Sequence, residues 1–583
     1  MNLLRPDLAT LKPYTRPAGE GSPAVRLHMN ECARDWPPEA RRALLARLEN
    51  LAFRTYPERQ AELTERLRLR LGAPEGGVLL GPSSGALLDL VALAGLRPGD
   101  AVAVPDPGFS LYPLLLGRVG ARMRPVRVGT GFPLEPWREA LAEGVRQLWL
   151  TLPNNPTGAW VAPEDLEPLL EEAAARPDPP LVVLDEAYAE FAPRTYRRAV
   201  ERFPNVLVLR TFSKALASAG WRLGYLLGDP ALVGRLAALQ LPYSLSASSL
   251  EALDVALDFA TAFQSEVRAI VERRDRLARA LEAVAAVAPS AANFLRVSPD
   301  PADRLAEAGL TARRLPGLDA ARITVGTEAE ARAVAGALGV ALPEPSPLPK
   351  RRLLVLDVDG VLLEVGRSFM EAVARALAEL RPGIAWSDGD FQAFKRLGGF
   401  NNDFRLTAGA LVASDVGLME AVRAGDGRGL AALEARMAEL EPSCKAVVQR
   451  HYEATRFQEK PTVNREDLAL PGWSVAVYTG RPPEEWDLAR EVLGFDLPAI
   501  ADGAPHLRKP QPGGLLQWAD AFQADLIVFA GDTGDDARAL AEAKILRPEL
   551  DWRFAAIGPD RARLGGAFAE PTLRDLISLL KEL

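Results

Sequence analysis

The stretch Val206-Leu-Val-Leu-Arg-Thr-Phe-Ser-Lys214 decides the fold, because an apolar run passes directly into polar side chains that can do chemistry. Such a run predicts a fully buried strand, and the residues after it then lie at the carboxyl end of that strand. Similar runs alternate with segments of helical periodicity along the chain. This alternation predicts an α/β protein with doubly wound parallel sheets, whose ligands bind beyond the carboxyl ends of the strands. The other predicted strands are 78–81, 101–105, 147–152, 181–185, 353–356, 475–478 and 526–529, and predicted helices include 85–95, 163–175 and 251–284.

The length of the chain and one proline-rich segment predict the domain organisation. A chain of 583 residues is longer than one hydrophobic core usually organises, so several domains are expected. In Ala341-Leu-Pro-Glu-Pro-Ser-Pro-Leu-Pro349, alternating prolines favour an extended spacer. We therefore predict a first domain over 1–342, a linker over 343–350 and a second domain over 351–583. A helical insertion at about 365–470 follows the first strand of the second domain, and one apolar helix face there comprises Phe369, Val373, Leu377 and Leu380.

Composition narrows the class of protein further. With 48% hydrophobic and 25% charged residues the chain is an ordinary globular protein, and its net charge of −8 offers no general basic surface for nucleic acid or an anionic membrane. No apolar stretch has the length of a membrane span, and the N-terminus lacks the pattern of a signal peptide. Two cysteines, Cys32 and Cys444, suit a reducing compartment. We expect a cytoplasmic protein that acts on small molecules.

Polar groups follow several predicted strands of the first half. They are Pro153-Asn-Asn-Pro-Thr-Gly158, Asp185-Glu-Ala-Tyr188, and Thr211-Phe-Ser-Lys-Ala215 with Gly220-Trp-Arg-Leu-Gly224. Each alone is more typical of a turn, a helix cap or a solvated lysine. Lys214 stands out, because residues 1–349 contain only one other lysine, Lys12, and arginine cannot serve as an amine nucleophile. Together and in this order, the groups resemble the fold-type I pyridoxal-phosphate aminotransferases, in particular the histidinol-phosphate aminotransferase family, from about Tyr14 to Thr327.

The resemblance implies a cofactor and the residues that bind it. Lys214 would form the Schiff base with pyridoxal phosphate and move the proton between Cα and C4′. Asp185 would hold the protonated pyridine nitrogen, and Phe109 would stack on the ring. Asn155 and Tyr188 would donate hydrogen bonds to the ring oxygen. The cofactor phosphate would be held by Arg222, by the hydroxyls of Thr211 and Ser213, and by backbone N–H groups at Ser84 and Gly85, where a helix begins.

The same resemblance implies substrate contacts and a dimer. Arg322, in Ala321-Arg-Ile-Thr-Val-Gly-Thr327, would bind the α-carboxylate of the amino acid, and Tyr14 would lie near the substrate entrance. Tyr56 would reach the cofactor phosphate of a neighbouring subunit, so a homodimer with shared sites is expected. The sequence departs from the family at His28-Met-Asn-Glu-Cys-Ala33 and at Ser84-Gly85-Ala86, which puts the choice of substrate in doubt.

The second half carries four further motifs. They are Leu356-Asp-Val-Asp-Gly-Val361, Tyr478-Thr-Gly-Arg-Pro482, Arg508-Lys-Pro-Gln-Pro512 and Gly531-Asp-Thr-Gly-Asp-Asp536. The first could be a calcium-loop fragment, but a strand precedes it and the glutamate expected at position twelve of such a loop is missing. The four motifs in sequence resemble the haloacid dehalogenase (HAD) superfamily from 351 to about 575, with the helical insertion as its cap.

The HAD resemblance implies a phosphatase with a divalent metal. Asp357 would attack phosphorus, and Asp359 would protonate the leaving oxygen and then activate water. Thr479 and Lys509 would bind the phosphoryl oxygens. Mg²⁺ would be held by carboxylates and the carbonyl of Val358, with Asp535 in solvent or behind the ligands. The carboxylates named for Mg²⁺ are Asp357, Asp359, Asp532 and Asp536. Candidates for specificity in the cap are Lys395, Asn401, Asn402 and Asp403, which could equally form an ordinary polar loop.

Taken together, the two resemblances predict a bifunctional enzyme of histidine biosynthesis. The first domain would transfer an amino group from glutamate to imidazole-acetol phosphate, and the second would hydrolyse histidinol phosphate to histidinol. Two alternatives stay open. The chain could join an aminotransferase for aromatic or other amino acids to a phosphatase for another phosphomonoester, or the second domain could only regulate or scaffold. The intact set Asp357, Asp359, Lys509 and Asp532 weighs against the scaffold.

Overall fold

A computed structural model describes residues 25–582 of the chain, except 347–348, 366–367, 398–399, 401 and 560. Tyr14 and Asn401, two of the predicted site residues, therefore lie outside the described residues. The chain separates into two compact units, one comprising Met1–Arg68 and Ala73–Pro349, the other Leu69–Gly72 and Lys350–Leu583. Among the described helices, none is both long enough and apolar enough to cross a bilayer.

The first unit contains thirteen strands and twelve α-helices in its described part. The strands are β1 (Val25–Arg26), β2 (Val78–Gly81), β3 (Ala101–Asp106), β4 (Arg122–Arg127), β5 (Gln147–Thr151), β6 (Leu181–Asp185), β7 (Val206–Thr211), β8 (Gly224–Leu227), β9 (Ala286–Ala288), β10 (Phe294–Ser298), β11 (Leu310–Thr311), β12 (Arg313–Arg314) and β13 (Ala321–Thr324). The helices are α1 (Pro38–Glu49), α2 (Gln60–Leu71), α3 (Ser84–Gly95), α4 (Tyr112–Arg118), α5 (Glu135–Ala142), α6 (Pro163–Ala174), α7 (Ala199–Arg202), α8 (Pro230–Leu239), α9 (Ala247–Asp258), α10 (Ala260–Leu281), α11 (Ala302–Glu307) and α12 (Glu328–Ala337).

A seven-stranded sheet of order β2-β8-β7-β6-β5-β3-β4 organises this unit. The five strands predicted from apolar runs are present, and β3, β5, β6 and β7 pair in parallel as expected. β8 was not predicted and runs antiparallel to both of its neighbours. The parallel pairing of β5 with β6 sets Thr151 opposite Asp185, so the carboxyl ends of these strands form one edge of the sheet.

Beside the large sheet, a smaller antiparallel sheet of order β12-β13-β10-β9 completes the unit. Its apolar side packs with α10 and α12 into a core that includes Phe294, Ile323 and Ile270. The helix predicted over 251–284 is in fact two helices, α9 and α10, which meet at Phe259. The two helices differ in how they pack: α9 is buried on most of its sides and contacts α1, whereas α10 packs with α12 and the small sheet.

The second unit contains eight strands and eleven α-helices in its described part. The strands are β14 (Arg352–Leu356), β15 (Leu363–Glu364), β16 (Lys460–Pro461), β17 (Trp473–Tyr478), β18 (Ala499–Ile500), β19 (Leu526–Gly531), β20 (Asp551–Ile557) and β21 (Phe568–Glu570). The helices are α13 (Phe369–Leu380), α14 (Asp388–Leu397), α15 (Asp403–Asp415), α16 (Met419–Arg423), α17 (Arg428–Ala431), α18 (Glu434–Thr455), α19 (Pro483–Leu493), α20 (Gly513–Ala521), α21 (Gly534–Leu546), α22 (Arg561–Leu564) and α23 (Leu573–Glu582).

A six-stranded parallel sheet of order β18-β17-β14-β19-β20-β21 lies at the centre of the second unit. After Arg352, β14 is apolar without interruption because both of its faces are covered. Leu353 and Val355 pack in the core on one side, and Leu354 and Leu356 pack in the core on the other. Since β17 and β19 flank β14, the loops that follow these three strands meet at one place.

Helices α13 to α18 form the cap, inserted between β15 and β16. The cap has its own apolar core, which includes Val373 and Leu377 from α13, Phe394 from α14 and Leu406 from α15. Helix α13 therefore buries the face that the sequence predicts, with Leu380 packed at the margin of this core.

Candidate active sites

Lys214 follows β7 and lies in a half-buried position. Its Nζ donates a hydrogen bond to the carbonyl O of Met29 at 3.1 Å. Loss of water lowers the pKa of the Lys214 amine to about 8, the positive charges of Arg322 and Arg222 add to this effect, and Glu31 opposes it. A larger share of the amine is therefore uncharged at neutral pH than in an ordinary lysine, as a nucleophilic amine requires.

Asp185 ends β6 and is buried beside this lysine-bearing strand. Its carboxylate accepts hydrogen bonds from Tyr112 Oη at 3.0 Å and from the backbone N of Ala187 at 3.2 Å. Burial raises the pKa of Asp185 to about 6, although both hydrogen bonds lower it. Among the described residues the carboxylate has no ion-pair partner. A buried acid in this state fits a ligand that carries a positive charge, such as a protonated pyridine nitrogen.

A hydrogen-bond network joins Asn155, Tyr188 and Arg322 across the sequence. Tyr188 Oη accepts hydrogen bonds from Asn155 Nδ2 at 3.2 Å and from Asn30 Nδ2 at 3.0 Å. Arg322 Nη1 donates to Asn155 Oδ1 at 2.5 Å, and Nη2 donates to the carbonyl O of His28 at 2.7 Å. The structure thus brings together the three residues that the resemblance assigns to the ring oxygen and the substrate carboxylate. Sequence reasoning did not assign Asn30 or Tyr112 a role, because each acts only through a partner distant in the chain.

The predicted phosphate-binding turn lies at the start of α3. Ser83 caps the helix by accepting a hydrogen bond from the backbone N of Ala86 at 3.1 Å, and its φ of 121° is a strained conformation for a residue with a side chain. Gly224 permits this turn, because a Cβ there would overlap the backbone N of Ser84. The N–H groups of Ser84 and Gly85 lie in the first turn of a twelve-residue helix, a suitable arrangement for an anion.

The remaining predicted phosphate contacts differ in their exposure. Thr211 is buried and its Oγ1 donates a hydrogen bond to Ser213 Oγ at 2.9 Å. Arg222 is exposed, has a left-handed backbone with φ 52°, and donates from Nη1 to the carbonyl O of Ala219 at 2.9 Å. Phe109 is half-buried and lies edge-on to Tyr112, with ring centroids 5.6 Å apart.

Tyr56 is 70% exposed in the single chain. It stacks on Tyr243, with ring centroids 4.3 Å apart, and the structure shows no hydrogen bond from it to the other predicted cofactor residues. Within one chain, the described residues therefore give Tyr56 no place in the site around Lys214.

In the second unit, Asp357, Asp532 and Asp536 form a group whose carboxylate oxygens lie within 4.8 Å of one another. Asp357 follows β14, Asp532 follows β19, and Asp536 is in the first turn of α21. Lys509 Nζ lies 2.8 Å from Asp357 Oδ1 and 2.6 Å from Asp536 Oδ1. Gly360 allows this crowding, since a Cβ there would overlap the carboxylate of Asp532.

The electrostatics of this group fit a divalent metal ion. Burial raises the pKa of Asp357, Lys509 opposes that rise, and Asp536 and Asp359 add to it. Burial and the charges of Asp357 and Asp536 likewise raise the pKa of Asp532. Asp532 Oδ1 is buried and accepts no hydrogen bond from a described residue. Clustered carboxylate oxygens short of positive charge are the ligands that Mg²⁺ takes.

Asp359 lies outside this group, unlike the sequence prediction that named it with the metal ligands. Its Oδ1 accepts hydrogen bonds from Arg481 Nε at 2.9 Å and Nη2 at 2.6 Å, which orient the carboxylate toward the guanidinium. Of the two positions expected for Asp535, in solvent or behind the ligands, the first does not apply, because Asp535 is buried and pairs with Arg538. Thr479 is fully buried, and its Oγ1 accepts a hydrogen bond from the backbone N of Arg481 at 3.1 Å.

Arg481 is a site residue that sequence reasoning missed. It is buried, and besides Asp359 it binds two groups from the end of the cap: Tyr452 Oη at 3.1 Å and Glu459 Oε1 at 3.0 Å. It also lies 4.9 Å from the ring centre of Phe369. The signal was present, since Arg481 belongs to the quoted motif after β17, but its partners are visible only in three dimensions.

A cavity of about 480 Å³ extends from the acidic group to the cap. Of the residues named for cap specificity, Lys395 and Asp403 line it and pair at 3.0 Å. Asn402 also lines it, yet its Oδ1 accepts hydrogen bonds from the backbone N of Phe404 and Arg405, so the ordinary role of a helix cap accounts for it.

Comparison with known proteins identifies the family that each part of the chain resembles. Residues 22–338 match the family model described as aminotransferase class I and II. The chain belongs to that family. Residues 351–544 match the model described as haloacid dehalogenase-like hydrolase. The two resemblances and the fold class expected from the sequence are thus confirmed: the chain is an aminotransferase followed by a HAD-type phosphatase domain. The first family uses pyridoxal phosphate, and HAD hydrolases use Mg²⁺.

Similar proteins cover the aminotransferase part. The chain is 32% identical over 355 residues to histidinol-phosphate aminotransferase 2 of Nitrosococcus oceani, across 58% of this chain and 96% of the relative. It is 35% identical over 313 residues to histidinol-phosphate aminotransferase of Thermococcus gammatolerans, across 53% and 88%. The crystal structure of histidinol-phosphate aminotransferase from Sinorhizobium meliloti in complex with pyridoxal 5′-phosphate matches with a TM-score of 0.53 and 26% identity, across 58% and 97%.

Replacement of Gly224 tests the turn before α3. Gly224→Ala should displace the backbone of Ser83 and Ser84, at a cost of about 1–3 kcal/mol for overpacking. We expect weaker binding of pyridoxal phosphate, by roughly tenfold or more, in a titration followed by visible absorbance. Gly220→Ala is the matched control, since a Cβ there meets nothing within 4 Å. Equal affinity in the two variants would mean that the turn is not part of the cofactor site.

The lowered pKa of Lys214 predicts a pH-dependent stability of the cofactor-free protein. Between about pH 8 and the ordinary pKa near 10.5, the unfolded chain binds more protons than the folded chain, so the stability contribution of Lys214 rises with pH in this window. Lys214→Met should therefore be more stable than the wild type at pH 7, by about 3 kcal/mol. This difference in the free energy of unfolding between Lys214→Met and the wild type should shrink as pH increases toward 10.5.

Denaturant unfolding of the cofactor-free proteins measures this gap. Lys581→Met, which removes an exposed lysine near the C-terminus, serves as the control for the loss of a lysine as such. A gap between the wild type and Lys214→Met that stays constant from pH 7 to 10 would contradict the prediction.

Proposed function

We propose that the protein catalyses two consecutive reactions of histidine biosynthesis. The first transfers an amino group from glutamate to imidazole-acetol phosphate, and the second hydrolyses the resulting histidinol phosphate to histidinol and inorganic phosphate. The observation that carries this proposal is the presence of both kinds of domain in one chain. Relatives of the first unit are named for an aminotransferase acting on a phosphate ester, and the second unit belongs to a class that hydrolyses such esters. The proposed substrates are small molecules.

The first reaction depends on the groups around Lys214. Pyridoxal phosphate, when bound, supplies an aldehyde that combines with amines and a ring that accepts electrons from Cα. Lys214 Nζ would hold the aldehyde between turnovers and would then carry the proton that leaves Cα. Asp185 would keep the ring nitrogen protonated, and Tyr112 orients Asp185 by a hydrogen bond. Arg322 binds the substrate carboxylate beside Asn155, which fixes the orientation of Cα.

The second reaction depends on the group around Asp357. An Asp357 oxygen attacks phosphorus, and the bond from phosphorus to the alcohol oxygen breaks. Asp359 gives its proton to that oxygen and then takes a proton from the water that hydrolyses the aspartyl phosphate. Thr479 and Lys509 bind the phosphoryl oxygens. Asp357, Asp532 and Asp536 would hold Mg²⁺, whose charge offsets the crowded carboxylates.

We also propose the domain limits and location expected from the sequence. The aminotransferase would span 1–342, the linker 343–350 and the phosphatase 351–583, with a cap at about 365–470. A cytoplasmic location agrees with Cys32 and Cys444, which are free thiols. The phosphatase pair of Asp357 and Lys509 favours activity over a purely regulatory second unit, because a scaffold has no need for this costly buried charge cluster.

Release of inorganic phosphate from histidinol phosphate tests the proposed function. The wild type should release inorganic phosphate with Mg²⁺, and this release should stop when a chelator removes the metal. Asp357→Asn should lower this rate by roughly 10³-fold or more, because the nucleophile is lost without a change in shape. Transamination by this variant should stay within about twofold, since the two catalytic sets share no residue.

Lys214→Ala provides the reciprocal control. It should abolish transamination and keep the Mg²⁺-dependent release of phosphate. Failure of the wild type to hydrolyse histidinol phosphate would overturn the proposed substrate. Loss of both activities in a folded Asp357→Asn protein would overturn the view of two independent enzymes.

We propose further that the protein is a homodimer in which Tyr56 serves the neighbouring subunit. Tyr56 and Tyr243 form an exposed aromatic pair, and Phe53 and Leu241 nearby in sequence are 87% and 78% exposed. Large apolar side chains at such exposure are typical of a surface that another chain covers. Tyr56 would then donate its hydroxyl to the cofactor phosphate of the partner.

Mixed dimers test this arrangement. Lys214→Ala and Tyr56→Phe each impair transamination alone. After subunit exchange, one site of each heterodimer carries both native residues, so part of the activity should return. Labelled subunits confirm exchange, and a Lys214→Ala/Tyr56→Phe double variant mixed with Lys214→Ala is the control that should stay inactive. No recovery after proven exchange would place Tyr56 outside the partner's site.

A further inference from the structure

Glu485 is a buried carboxylate that the reaction steps above do not use. It lies in the first turn of α19, is 8% exposed, and lines the cavity that extends from Asp357 to the cap. Its carboxylate accepts no hydrogen bond and makes no ion pair with any residue that the structure describes. A buried carboxylate without a partner is costly, so it indicates a partner that arrives with a ligand.

The charged groups around Glu485 indicate which charge that partner carries. Among the charged groups with the largest effects on it, one guanidinium, Arg481, comes first, followed by three carboxylates, Asp359, Asp403 and Glu459. Arg481 is already bound by Asp359 and Glu459, while Asp403 is paired with Lys395. The carboxylates around Glu485 therefore outnumber the one guanidinium, which two of them already share. Burial raises the pKa of Glu485 to about 7, Arg481 opposes the rise, and the carboxylates add to it.

The helix alone does not explain the burial of Glu485. A carboxylate in the first turn of a helix interacts favourably with the helix dipole, by roughly 0.3–1 kcal/mol. Glu484 occupies the same turn and provides that interaction from an exposed position. The aromatic residues Phe369, Phe391 and Phe404 also line the cavity and reduce its contact with water. An ion pair formed there is stronger than one at the surface.

We propose that Glu485 binds a protonated amine of the phosphomonoester substrate and so selects esters that carry a cationic nitrogen. This inference rests on the proposed phosphatase activity, whose substrate it narrows. The phosphoryl group lies at Asp357 and Lys509, and the ammonium group reaches Glu485 across the same cavity. Glu485 is a specificity-determining residue and takes no part in the transfer of phosphate.

Binding of two matched esters tests the proposal. 2-Aminoethyl phosphate and ethyl phosphate differ by one ammonium group. Their Kd values are measured by calorimetry at pH 8 with Mg²⁺, on the full chain carrying Asp357→Asn, which prevents turnover. We expect the amine ester to bind at least tenfold more tightly. Glu485→Gln keeps the size of the side chain and removes its charge, so it should reduce this preference to about twofold or less.

Two further variants control the test. Glu484→Gln removes the neighbouring exposed charge and should keep the full preference. Glu485→Asp keeps the charge on a shorter side chain and should keep part of it, which separates the loss of charge from a general disturbance of the cavity. Equal binding of the two esters to the Asp357→Asn protein, absence of binding of the amine ester, or an undiminished preference in Glu485→Gln would each overturn the proposal.

The result of this binding test can be distinguished from the result of the test of the proposed substrate. A preference for the amine ester that depends on Glu485, together with no release of phosphate from histidinol phosphate by the wild type, would keep the role of Glu485 and reject that substrate. Hydrolysis of histidinol phosphate that Glu485→Gln leaves unchanged in KM would reject the role of Glu485 alone.

Discussion

The removal of carboxylates from water at the ends of parallel strands is the constraint on which both sites depend. Asp185 ends β6 and Asp357 follows β14, and each is buried where the sheet is covered on both faces. Burial raises the pKa of both acids. Each acid then needs a positive charge or hydrogen-bond donors nearby, which Tyr112 gives to Asp185 and Lys509 gives to Asp357. The loops beyond the strands provide these partners for the buried acids.

Close backbone contacts at glycine make the same arrangement possible. Gly224 on β8 lets the turn at Ser83 and Ser84 approach the sheet, and Gly360 lets Asp532 approach the loop after β14. At both places a side chain would occupy the space that the site uses. The sheets thus place the loops of each site at one edge, and the glycines allow those loops to approach each other closely.

The sequence was sufficient for the parts of the fold that local pattern determines. Continuous apolar runs identified β5, β6, β7, β14 and β19, because strands covered on both faces have no polar alternation. β4 and β8 escaped prediction for different reasons: β4 is an edge strand with mostly exposed residues, and β8 is a short antiparallel strand that follows a turn. The break at Phe259 depends on how α9 and α10 pack, which no local pattern contains.

The residues of the candidate sites also fall into those that local sequence predicts and those that only the fold reveals. Lys214, Asp185 and Asp357 lie at or just after the ends of strands and could be named from the sequence. Asn30, Tyr112 and Arg481 gain their importance from partners far along the chain, and Glu485 gains it from its place in the cavity, so only the fold reveals them. The position of Asp359 shows this most clearly. The HAD resemblance named it with the metal ligands, yet its hydrogen bonds are with Arg481.

Arg481 has a consequence for how phosphatases of this form can diversify. Its guanidinium joins Asp359 of the sheet domain to Tyr452 and Glu459 at the end of the cap. The acid proposed for proton transfer is therefore joined, through one guanidinium, to residues at the end of the cap. Exchange of one cap for another replaces two of the groups that hold this guanidinium against Asp359, so evolution of a new substrate range also changes how that carboxylate is held in place.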